Sequence, residues 1–243
     1  MQSGTMQPGL IAGIGLTHLT VYDQRPGPDG MQSGCAHVHA VTDEAYFVIS
    51  GRGAIELHDT VHGFRSVPLG PGSFVQFSPG TLHRSVCHEK LVVLAVMGNA
   101  GLAERGDARI WFGPEADADP ALYQRLWRLP AEQGLGGALE RRDRSIAAYQ
   151  GLMRLWKDDR AAYTRELQRF LEVHAQAMAP LRERFQGVVA DGPAAWLQSA
   201  LSRIGGLPGL PMSPEATAIG PEPGPPKLGM CGLLRPLDLP TTV

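Results

Sequence analysis

The sequence predicts a mainly β protein, an antiparallel β-barrel or sandwich followed by an α-helical C-terminal extension. Two observations carry this. Residues 1–113 are rich in Gly, Val, Thr, Phe and His, and their short apolar runs alternate with Gly/Pro turn signals. From about Pro120 to Ile204, apolar residues instead recur at helical spacing. A third stretch, 205–243, is dense in Pro and Gly. The expected division is a β-barrel over 1–115, helices over 116–204 and a Pro/Gly-rich tail over 205–243.

Candidate strands are Leu16–Tyr22, Ala36–Ala40, Ala45–Ser50, Ala54–His58, Phe64–Leu69, Ser73–Phe77, His83–Val86 and Lys90–Met97. Their separators include residues 26–30 (Pro-Gly-Pro-Asp-Gly), Gly70-Pro-Gly72, Ser78-Pro-Gly80 and Gly51-Arg-Gly53, the last read as a hairpin turn. Connections this short exclude parallel pairing through helical crossovers. Asp119-Pro120 reads as an N-cap followed by proline at the first helical position. Tyr163, Leu167, Phe170, Leu171, His174, Ala177 and Met178 share one helix face, as do Leu152, Leu155 and Trp156 just before. Such stripes pack helices on each other, on the barrel or on a second subunit. Pro180 should end or kink the long helix. Pro193–Ile204 reads as a last helix, stopped by Gly205-Gly206. The run Pro221–Pro226 suggests an irregular or polyproline tail, and Leu228–Leu234 could dock on the barrel as an extra strand.

The 243 residues carry a net charge of −2, with 43% hydrophobic and 19% charged residues. Nothing here is basic enough to suggest a nucleic-acid partner. No apolar run approaches the roughly 20 residues of a membrane span. No signal peptide is expected at the N-terminus. Three cysteines, Cys35, Cys87 and Cys231, are too few and odd in number for a disulfide framework, and fit a reducing cytoplasm. Arg in excess of Lys, with abundant Ala, Gly and Pro, suggests a GC-rich bacterial genome.

The chemistry concentrates in two stretches. Residues two apart in a strand face the same side, so His37 and His39 present two imidazoles to one point. Glu44 follows after a turn and can fold back toward them. Imidazoles with a carboxylate suit Zn, Mn, Fe or Ni. Downstream, residues 72–83 read as a strand, a Ser-Pro-Gly turn and then His83.

These two stretches resemble the two motifs of the cupin superfamily, small antiparallel β-barrels. His37-Val-His39, four residues, Glu44, six residues and Gly51 match the first. Gly72, five residues, Ser78-Pro79-Gly80, two residues and His83 match the second, with Ser78 in place of the family proline. Cys87 stands where the family often has Asn, and Met31 where it has Gly. The resemblance covers about residues 10–113, and implies that His37, His39, Glu44 and His83 hold one divalent metal. It implies a mononuclear metal enzyme acting on a small organic molecule. A non-haem Fe(II) dioxygenase is favoured, and a Zn, Mn or Ni isomerase, epimerase or lyase is the alternative. A metal-assisted small-molecule sensor is the non-enzyme alternative. Cupins commonly dimerise through their sheets, so a homodimer is expected.

Around the site, alternation puts Tyr46 and Val48 on the face of Glu44, with Phe47 and Ile49 pointing outward. Tyr46 is the candidate substrate contact or general acid, although a packed core tyrosine is the commoner outcome. Parity also turns Cys35 and Cys87 inward, where an inert buried thiol is the usual case. Gln76 could meet a ligand if it faces inward. His18, His58, His62, His88 and His174 show no partner pattern.

Overall fold

In a computed structural model, residues 9–209 and 224–237 are described. Residues 221–223 of the expected polyproline run fall outside them. The strands are β1 (Gly15–Val21), β2 (Gln32–Ser33), β3 (His37–His39), β4 (Glu44–Asp59), β5 (Gly63–Leu69), β6 (Phe74–Phe77), β7 (Leu82–Met97), β8 (Ala108–Ile110), β9 (Lys227–Leu228) and β10 (Gly232–Pro236). They form one sheet, ordered β5-β4-β7-β1-β10-β9, with β2 and β3 also on β7, β6 on β4 and β8 on β3. Each recorded strand pairing is antiparallel, as the short connections require.

One expectation is corrected. Gly51-Arg-Gly53 is not a hairpin turn. The two predicted strands on either side of it join into the single 16-residue β4, and the two predicted segments around 87–90 likewise join into β7. The β4–β7 register slips between Val48 and Gly53. Gly51 sits at φ +78°, and a Cβ there would run into the carbonyls of Glu89 and Lys90. Glycines at such a point bend a strand through a bulge without reversing it. The bend lets each long strand serve both the sheet core and the histidine cluster. The interior packs Leu19, Tyr46, Val48, Ile55, Leu91 and Val93, all at most 1% exposed.

The helices are α1 (Pro114–Ala118), α2 (Pro120–Trp127), α3 (Gly134–Asp158), α4 (Arg160–Met178), α5 (Arg182–Val189) and α6 (Ala195–Gly205). Asp119 caps α2 as expected, accepting from the N–H groups of Ala121 and Leu122. Asp159 does the same for α4 through Ala162. Pro180 falls in a short 3-10 turn that separates α4 from α5. The α4 stripe is core at Tyr163, Leu167, Phe170, His174 and Met178. It packs on the sheet, in a cluster joining Tyr149, Tyr163, Leu167 and Phe170 to Ala36, Val38, Leu82 and Trp111. The C-terminal return docks as expected: β10 pairs with β1, Leu234 opposite Leu19, and β9 folds back on β10.

Candidate metal centre

His37 and His39 are the two ends of β3, Glu44 opens β4, and His83 is the second residue of β7. Cross-strand register brings His37 opposite His83. The Ser78-Pro-Gly80 turn, with Gly80 at φ +80°, donates its Gly80 N–H to the His39 carbonyl at 2.8 Å. That bond ties the second motif to the first. The result is a cluster of four side chains, each at most 4% exposed, whose ligand atoms lie within 4.8 Å of one another.

The hydrogen bonds of the rings decide what the cluster can do. His37 Nδ1 lies 3.1 Å from the Cys35 carbonyl, and His83 Nδ1 lies 3.1 Å from the Thr81 carbonyl. A carbonyl only accepts, so each Nδ1 carries the proton. His39 Nδ1 lies 3.2 Å from Asp107 Oδ2, which likewise accepts. All three rings therefore turn a bare Nε2 lone pair toward the centre. His37 Nε2 and His83 Nε2 stand 3.0 Å apart, and Glu44 Oε2 lies 3.1 Å from His83 Nε2 and 3.4 Å from His39 Nε2. Glu44 Oε2 is buried without a hydrogen-bond donor. Lone pairs facing each other beside an orphaned carboxylate oxygen are costly unless a cation lies between them. Two nitrogens bound side by side to one ion at about 2.1 Å would sit roughly 3 Å apart. The residues fit a divalent metal.

The electrostatics differ from one ligand to the next, and His37 is the ring they hold neutral. Burial, then the neighbouring His83 and His39, hold the His37 pKa well below its usual value, so His37 is neutral. Burial alone would lower His39, but the Asp107 hydrogen bond and the Glu44 charge outweigh it and raise its pKa. Burial alone would raise Glu44, but positive charge at the His83 and His39 positions lowers it, so the carboxylate is ionised when those rings carry a proton. Asp107 is pulled down to about 2: burial opposes this, and its hydrogen bonds from His39 and the Val41 N–H prevail.

Tyr46 is fully buried on the Glu44 side, as alternation predicts, and Val48 beside it is core while Phe47 and Ile49 are exposed. The Tyr46 hydroxyl lies 3.8 Å from Cys231 Sγ. Cys35 instead packs among Ile110, Phe112, Ala116 and Tyr123. Cys87 lies in the barrel core, its sulfur accepting from Leu91 N–H at 3.2 Å. Gln76 faces outward and is exposed.

Sequence reasoning missed two residues. Asp107 immediately precedes the three-residue β8, too short to register as a strand, although it stacks beside β3 and so reaches His39. Cys231 comes from nearly 150 residues beyond His83, and its Sγ is 3.5 Å from His37 Nε2. The one available signal was the apolar run around it. His58 and His174, without pattern in the sequence, prove buried and bonded: His58 to Tyr149 and Tyr163, His174 to the Asp107 carbonyl.

Residues 25–97 match the family model described as Cupin domain. This part of the chain is a cupin domain, with the helical region following it. No curated protein matches the chain. Among solved structures, a putative sugar phosphate isomerase from Acidithiobacillus ferrooxidans is 26% identical over 35% of this chain and 47% of its own, at a TM-score of 0.25. The match thus spans under half of that protein. A Cupin 2 conserved barrel domain protein from Salinispora arenicola is 22% identical over 43% and 76%, at 0.29. The TDP-fucose-3,4-ketoisomerase WlaRA from Campylobacter jejuni is 10% identical over 35% and 57%, at 0.28. None of these likenesses carries a reaction or substrate to this chain. Among the described residues, no helix is long and apolar enough to cross a membrane.

Proposed function

We propose that the chain is a mononuclear divalent-metal enzyme acting on a small organic molecule. The observation that carries this is the set of three bare Nε2 lone pairs converging with the orphaned Glu44 oxygen in a buried site. His37, His39, His83 and Glu44 would hold the ion. Four ligands leave positions free on a five- or six-coordinate metal. Fe(II), the favoured ion, would supply dioxygenase chemistry there, whereas Zn, Mn or Ni would supply Lewis-acid polarisation of a carbonyl or enolate.

The protein's own residues do the rest. The Cys35 and Thr81 carbonyls and the Asp107 carboxylate fix each ring with Nε2 inward. In the isomerase or lyase reading Tyr46 is the candidate general acid by its place on the Glu44 face, and its acidity does not help: burial, then Cys231 and Glu44, hold its hydroxyl pKa well above the usual value. A catalytic role for Tyr46 requires substrate to approach the face it shares with Glu44.

The test starts with protein purified without added metal and then offered Fe(II), Mn, Zn or Ni under anaerobic conditions. Elemental analysis is expected to find one ion per chain in the wild type and none in His83→Ala. A wild type that takes up no metal sinks the reading. Oxygen consumption with the Fe(II) form across a small-substrate panel separates dioxygenase from Lewis-acid chemistry. A ligand that raises the melting temperature but is never turned over favours a sensor.

We also propose a homodimer through the sheet, supported by Phe47, Ile49 and Phe74, which are 43%, 46% and 61% exposed. Phe47 and Phe74 are direct cross-strand partners.

A further inference from the structure

The four ligands come from β3, β4 and β7, and a fifth side chain reaches them from the C-terminal return. Cys231 is 8% exposed, with its Sγ 3.5 Å from His37 Nε2, one of the nitrogens aimed at the centre. The site it touches also holds the donorless Glu44 oxygen.

Its placement is firmly built. Cys35 N–H donates to the Met230 carbonyl at 2.9 Å, and Tyr22 N–H to the Cys231 carbonyl at 3.3 Å. The Gly229 carbonyl accepts from both the Tyr22 hydroxyl and Arg141, each at 2.9 Å. Gly34 leaves room for the crossing chain just before β10, since a Cβ there would lie 2.6 Å from Cys231 Cα. The residue after β1, the segment between β2 and β3, and α3 thus converge to hold one thiol against one ligand.

The ordinary reading is a buried thiol that donates a weak S–H bond to His37 Nε2. The geometry points further: we propose that Cys231 is a sulfur donor to the ion held by His37, His39, Glu44 and His83. An imidazole nitrogen at about 2.0–2.1 Å and a thiolate at about 2.3 Å from one ion sit roughly 3.1 Å apart at a right angle and about 3.8 Å apart at roughly 120°, the angles of a five-coordinate ion, and the observed separation falls between them. Cys231 stands outside the group of four and approaches it from the His37 side. Coordination would release the thiol proton to solvent. It would fill one free position and shift preference toward zinc, cobalt or iron and away from manganese. This inference rests on the metal reading above.

The full-length protein loaded with Co(II) provides the test, because thiolate ligation gives an intense near-ultraviolet sulfur-to-cobalt band that imidazole and carboxylate do not. The wild type is expected to show this band together with visible cobalt transitions. Cys231→Ser and Cys231→Ala are expected to lose the band and keep the visible transitions, while Cys87→Ser keeps both. Visible transitions without the near-ultraviolet band in the wild type overturn the thiol ligand and leave the metal reading standing. So does a band that persists in Cys231→Ser. A wild type that binds no cobalt overturns the metal reading, and this inference with it.

Discussion

At the residue scale, the site depends on groups outside the four candidate ligands. Asp107 accepts from His39 Nδ1, and its other oxygen accepts from the N–H groups of Ala40 and Val41 at 3.0 and 2.7 Å. It sets both the ring's tautomer and the path of the chain leaving β3. Asp107→Asn retains the size but removes the charge and half the accepting capacity. Metal affinity should fall about 10- to 100-fold, the usual consequence of losing a partner behind a ligand. A competition titration against a chelator checks this, and an unchanged affinity would show that His39 is held by β3 alone. The cluster of His37, His39, Glu44 and His83 was legible in sequence because strand parity and turn chemistry are local. Asp107 and Cys231 were not, because only the pairing of β3 with β8 and of β1 with β10 brings them near.

At the scale of elements, His58 is the joint between sheet and helices. Tyr149 donates its hydroxyl proton to Glu56 at 2.9 Å, so it accepts from His58 Nε2–H at 2.7 Å. Tyr163 then donates to His58 Nδ1 at 2.9 Å. The ring is neutral, and of the opposite tautomer to the metal-site histidines. Burial, with the Arg84 charge, lowers its pKa from 6.5 to about 3, and burial lowers His174 to about 4. An unfolded chain binds these protons near 6.5 while the native state refuses them. Stability is therefore full above 6.5 and falls as pH drops toward 4 and then 3. Each histidine contributes at most about 1.4 kcal/mol per pH unit in that window. Thermal melts at neutral pH and in mild acid should show this loss. His58→Phe should melt lower at neutral pH, because two buried tyrosine hydroxyls lose a partner, yet lose less on acidification. A variant as acid-sensitive as the wild type would remove His58 as the cause. Helix starts at Asp119 and Asp159 follow from local capping, and only Asp119 was read in advance. The unbroken β4 and β7 were hidden because Gly51-Arg-Gly53 has the composition of a turn, and only the opposing strand makes it a bulge.

At the scale of the whole molecule, sheet and helices share a core. Trp111 and Phe170 pack edge to face with ring centroids 4.9 Å apart, and Ser145 of α3 accepts from the Ala36 N–H at 3.2 Å, just before β3. The helices thus cover the side of the sheet at β3 and β8, while Phe47, Ile49 and Phe74 on the β4–β6 face stay exposed. Single exposed apolar side chains are ordinary on any surface. Two phenylalanines paired across neighbouring strands, with Ile49 on the same face, make a contiguous patch of the kind interfaces use. If that face joins two copies, a charge placed on it must split them without disturbing the interior, since Phe74 is 61% exposed and contributes little to the core. Full-length protein should elute as a dimer by size exclusion with light scattering, and Phe74→Asp as a monomer whose melting temperature in dilute solution stays close to that of the separated wild type. A wild type that is monomeric at micromolar concentration refutes the dimer. A Phe74→Asp variant that remains dimeric moves the interface elsewhere on the molecule, with the exposed Leu197, Leu201 and Ile204 of α6 as the next face to charge.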